Sequence, residues 1–182
     1  MIQKIEAARA QGLQITADMY TYPASATGLD AAMPPWVQEG GLEAWRKRLQ
    51  GPAIRKRVKR EMRSDRYDNA FLSPGSHDGI LLIGFKSDKL KPLTGKTLAE
   101  IARMRHSAPE DTAMDLVVED DSRVETIYFE MSENNIVKEI VLPWVSFGAD
   151  EDPEGVDGVF LKFSAHPHAF GNFCPRLRAL CA

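Results

Sequence analysis

Apolar positions recur along the chain with two periods. Ile2, Ile5 and Ala8 repeat every three residues, and Gly12 follows where a helix-ending glycine belongs. LQITADMYTY (13–22) is rich in strand formers and stops at Pro23. Residues 23–41, with three prolines and three glycines, read as loop. LEAWRKRLQ predicts a short helix. Pro52 suits the first turn of another, in which Ile54, Val58 and Met62 form a stripe at four-residue spacing. Residues 64–79 read as loop and ILLIGF (80–85) as a buried-type strand.

Two start signals follow. Thr97 with Glu100 fits a capping box before LAEIARM, and Ser107 with Glu110 fits one before TAMDLVVE. VETIYFEM (124–131) predicts a strand, Asn135–Leu142 a helix ended by Pro143, and WVSFG (144–148) a strand. The alternation over 120–150 predicts an α/β arrangement with parallel strands. Four carboxylates then crowd one short stretch: Asp150, Glu151, Asp152 and Glu154. A strand that surfaces into a solvated loop would give this pattern, and so would a strand that delivers a carboxylate to a reaction.

The 182 residues suit one domain with an insertion, and the net charge of −3 gives no bulk pull toward nucleic acid or acidic membrane. No apolar run approaches the roughly 20 residues a membrane helix needs. Cys174 and Cys181 make no disulfide framework, so a reducing cytoplasm is the default expectation.

Several short motifs invite chemistry. TGKT (94–97) resembles the end of a phosphate-binding loop, but position 90 is Leu where that loop needs Gly, and a helix cap is the expectation. RKRVKREMR (55–63) is strongly basic, yet its charges fill the faces left free by the apolar stripe and no stacking aromatics are interleaved. A solvated helix face is expected there. His166-Pro167-His168 has the His-x-His form of a metal pair, against which the intervening proline and the loop signals speak. His77 and His106 are read as solvated.

A longer pattern gives more. ITADMYTYPASATGLDAAMPPWVQEGGLEAWRKRL (15–49), ILLIGFKSDKLKPLTGKTLAEIARMR (80–105), DLVVEDDSRVETIYFEMSENNI (115–136) and LPWVSFGAD with GVFLKFSAHPHAFGNF (within 142–173) together resemble, in order, the N-acyl-D-amino-acid deacylases (D-aminoacylases) of the amidohydrolase superfamily. The resemblance implies an α/β fold: part of a metal-dependent (β/α)8 barrel with a lid-like insertion. It also implies zinc-assisted hydrolysis of the linear amide of an N-acyl-D-amino acid. By this resemblance 1–23 holds a barrel helix and the seventh-strand region, 24–95 is the insertion that covers the active site, and 96–182 holds the eighth-strand region.

The family's proton-transferring carboxylate stands at the end of the eighth strand, and Asp150 matches it, with Ala149 in the place of a serine. In the family this carboxylate also contacts metal, for which Asp150 would need ligands absent from this chain. Tyr20 matches a tyrosine of the substrate pocket. His168 stands where the family has an arginine facing the substrate carboxylate, and a mostly neutral imidazole cannot make that two-pronged contact.

The superfamily's other metal ligands lie on strands that this chain does not carry. Zinc, present in the full-length family, is therefore not expected to be retained, and the chain alone is expected to be inactive. Its expected partners are the small-molecule substrate and the missing N-terminal part of the barrel, with no nucleic acid and no membrane. CPRLRALCA departs from the family after AFGNF, which gives the expectation of a truncated or frameshifted end. The alternative reading is a non-catalytic truncated product or one half of a split protein.

Overall fold

The computed structural model describes residues 1–65, 67–148 and 150. It is a mixed helix and strand structure that divides into two compact units, one of residues 1–23 with 132–182 and one of residues 24–131. No helix among the described residues is long and apolar enough to cross a membrane.

In the first unit, α1 (Ile2–Ala10) leads into β1 (Ala17–Tyr20), and α7 (Glu133–Ile140) leads into β6 (Val145–Gly148). β1 and β6 pair parallel, with Ala17 opposite Val145 and Tyr20 opposite Gly148. Parallel neighbours need a long connection, and here it is the whole second unit. Trp144, buried at the entry to β6, donates its indole N–H to Glu6 of α1 at 3.3 Å, and its carbonyl accepts from the Ala17 amide. The start of both strands is thereby tied to α1.

The second unit is built on a four-stranded sheet in the order β2 (Ser25–Gly28), β5 (Glu125–Tyr128), β3 (Ile80–Gly84), β4 (Lys96–Thr97), every neighbour antiparallel. One face is buried through Ile80, Leu82, Thr126 and Tyr128. Helices α2 (Pro35–Gln38), α3 (Gly41–Leu49), α4 (Pro52–Met62), α5 (Leu98–Arg105) and α6 (Pro109–Asp120) supply much of that core, and connecting segments add Leu29, Met33, Phe71 and Phe85. β3 carries a bulge between Leu82 and Gly84. A Cβ on Gly84 would stand 2.9 Å from the Glu125 Cβ, so the close approach of β5 requires glycine there.

The Thr97–Glu100 capping box forms as expected: the Thr97 hydroxyl accepts from the Glu100 amide at 3.2 Å, and the Glu100 carboxylate accepts from the Thr97 amide at 2.7 Å. TGKT is therefore a helix cap. The Ser107 box does not form. Pro109 occupies the first helical position and forces Ala108 into extended backbone, so the cap falls on Ala108, which has no side-chain acceptor to offer.

The strands are shorter than their apolar runs. Residues 23–41 are more ordered than their proline and glycine content suggests, containing β2, a 3-10 turn at Leu29–Ala32 and α2. The 120–150 alternation does not make one parallel sheet, because β5 joins the antiparallel sheet and β6 pairs with β1.

The basic helix α4 is also not simply solvated. Its apolar stripe is buried, Val58 and Met62 completely. Arg55 reaches Asp115 at 2.6 Å, Lys59 pairs with Asp111, and Arg63 pairs with Glu110, all on α6. Arg57 stacks over the Trp36 ring at 3.9 Å and donates to Glu61 at 2.8 Å. His77 packs its ring against Phe71 at 4.4 Å, whereas His106 is exposed at the left-handed end of α5.

Candidate active site

Along β1, Met19 is buried on one face, while Asp18 and Tyr20 fall on the other, because successive strand residues alternate. In a parallel pair, residues in register share a face. Asp18 with Ser146, and Tyr20 with Gly148, therefore form a polar strip with Asp18 and Ser146 exposed. Gly148 adds no side chain beside Tyr20. The Tyr20 and Tyr22 rings lie 5.5 Å apart at 47°.

Asp150 follows β6 by two residues and is exposed. Its φ is +54°, the left-handed region that short polar side chains tolerate better than most. Since β1 and β6 run parallel, Tyr20 and Asp150 both belong to the C-terminal end of the pair. Of the sequence-predicted site residues, these two thus share one end of one sheet. His168 lies outside the described residues, as do Glu151, Asp152, Glu154, His166, Cys174 and Cys181.

Asp18 and Ser146 carry no motif, and the sequence pattern singles out neither. The Ser146 hydroxyl donates to the Asp18 carboxylate across the strands and lies 3.5 Å from the Ala17 carbonyl. The signal available was an Asp in the middle of a strand, two residues before Tyr20 and so on the same face.

The described residues do not by themselves make a zinc site. Among the described residues no group of three or more His, Cys, Asp or Glu side chains could hold a metal ion, whereas a catalytic zinc normally takes about three protein ligands. Asp150 alone is one carboxylate. Two surface hollows among the described residues, one lined by Arg103, His106 and Ser107 and the other by Arg9, Leu13 and Gln14, include neither Tyr20 nor Asp150.

No family model matches the chain, and no curated protein matches its sequence. Its structural neighbours are amidohydrolases. One is the N-acyl-D-glutamate deacylase of Bordetella bronchiseptica, complexed with zinc and a phosphonate inhibitor that mimics the reaction's tetrahedral intermediate. It shows 21% identity and a TM-score of 0.46 over 82% of this chain and 22% of that chain. Two D-aminoacylase structures, one of them a study of the binuclear metal centre, show 22% identity and a TM-score of 0.45 over 81% of this chain and 21% of theirs. The chain thus spans about a fifth of the length of the structures it matches.

Proposed function

We propose that the chain supplies the seventh- and eighth-strand portion of an amidohydrolase of D-aminoacylase type, hydrolysing the linear amide of an N-acyl-D-amino acid. The observation that carries the reading is the parallel register of β1 and β6, with Tyr20 opposite Gly148 and Asp150 just beyond. The resemblance of four segments in order supports it. β1 and β6 would be adjacent barrel strands, and barrel active sites lie at the C-terminal ends of such strands. By the same resemblance, 24–95 would correspond to that family's insertion between the two strands.

Asp150 would take a proton from the attacking water and return it to the leaving amine, so that the scissile C–N bond breaks to a carboxylate and a free D-amino acid. Asp150 is exposed at the end of its strand, so the attacking water can reach its carboxylate. Tyr20 would line the pocket for the substrate. His168 would meet the substrate carboxylate with one imidazole contact where the family resembled uses a guanidinium. Zinc dependence belongs to the same reading, and the ligands for it would come from outside the described residues.

The test is a hybrid that joins this chain to the first six strands of the N-acyl-D-glutamate deacylase. Hydrolysis of N-acetyl-D-amino acids, with the L enantiomers spared, is expected, and His168→Arg should lower the KM. A folded, zinc-loaded hybrid with no turnover of any N-acyl-D-amino acid would refute the reading.

A further inference from the structure

We propose that Asp18 is a positioning residue: through the Ser146 hydroxyl, its carboxylate sets the register of β1 against β6, and so fixes which part of β6 lies beside Tyr20. Register in a hairpin is set by the turn, but Asp18 and Ser146 are 128 residues apart and no turn joins their strands. Apolar patterning can also set register where one face is buried. Here Met19 is the single buried residue of the two strands. Evenly spaced parallel backbone hydrogen bonds discriminate little between registers.

The side chains do discriminate. In the observed register Ser146 donates to Asp18. A slip by one residue sets Asp18 opposite Val145 or Phe147 and brings Phe147 or residue 149 beside Tyr20. A slip by two keeps the faces but sets Asp18 opposite Trp144 or Gly148. The carboxylate then loses its partner in every alternative. Each residue of slip would also carry Asp150 about 3.3 Å along the pair, a large displacement for a group that transfers a proton. That catalytic consequence rests on the proposed function, whereas the register itself does not.

Cross-linking in the full chain tests the inference, with Cys174→Ser and Cys181→Ser to remove competing thiols. Two cysteine pairs are introduced separately: Ala17→Cys with Val145→Cys, in register, and Ala17→Cys with Phe147→Cys, two residues out. In-register Cα atoms stand about 4.8 Å apart, within disulfide reach, whereas the second pair stands roughly 8 Å apart, beyond it. Oxidised peptides are quantified by mass spectrometry.

The first pair should cross-link in large excess over the second. Asp18→Ala or Ser146→Ala should shift the ratio toward the second pair by roughly two- to fivefold, the effect of losing one cross-strand pair. Asp18→Asn, whose amide oxygen still accepts, should restore the native ratio. Unchanged ratios in both alanine variants, or cross-linking of the second pair as extensive as that of the first in the unsubstituted background, would overturn the proposal. If Asp18→Ala does not fold, Ser146→Ala decides alone. Hydrolysis is not read, so a failure here leaves the proposed function standing, and an inactive hybrid with intact register refutes only that function.

Discussion

Ser25 donates its hydroxyl to Glu130 at 2.5 Å, beside the register pair of Ser25 with Tyr128. The two ends of the 24–131 unit are thereby held together, and among the described residues its buried apolar cluster runs from Leu29 to Tyr128. Residues 24–131 should therefore fold when excised. Urea unfolding followed by circular dichroism should give one cooperative transition, with a slope of about 1–3 kcal/mol per molar. A gradual, featureless change would show that the unit lacks a self-sufficient core.

The two serine and threonine start signals should differ in worth. Thr97→Ala removes one half of a formed capping box and should cost about 0.5–2 kcal/mol. Ser107→Ala removes a side chain that caps nothing and should stay within about 0.5 kcal/mol of the native chain. Equal losses in parallel denaturant melts would contradict the assignment of the α6 cap to Ala108.

That contrast shows what was legible in the sequence. The position of α4 followed from its apolar stripe and from Pro52 in its first turn, because those signals act locally. Strand partners did not, since β5 and β6 carry similar apolar runs yet enter different sheets. Pairing between residues as distant as Asp18 and Ser146 is decided by the whole chain. The role of the α4 cations was hidden for the same reason. Their carboxylate partners on α6 lie 47–60 residues away along the chain. At the candidate site, Tyr20 and Asp150 came from a family resemblance. Asp18 and Ser146 became visible only when their strands were paired.

Glu110 gives a pH signature. Burial pushes its carboxyl up, but the Arg63 hydrogen bond, a backbone hydrogen bond, and the charges of Arg63 and Lys59 outweigh this and hold it below the ordinary carboxylate value. A lowered folded-state value means that the contribution is complete above the unfolded value of about 4.3 and is lost as pH falls through the folded value. Glu110→Gln should therefore be less stable than the native chain at pH 7, with the deficit shrinking below about pH 4.3. A deficit that stays constant from pH 7 to pH 3 would mean that Glu110 acts by packing alone.

Asp150 bears the central claim, and the most direct measurement is kcat/KM for N-acetyl-D-amino acid hydrolysis in the hybrid, with and without Asp150→Asn. The amide keeps the size and removes the base. If Asp150 transfers the proton, kcat/KM should fall by roughly 10²–10⁴-fold with the metal content of the hybrid unchanged, while Asp152→Asn costs far less. Near-full turnover in the Asp150→Asn hybrid, or a collapse caused by Asp152→Asn instead, would contradict the account.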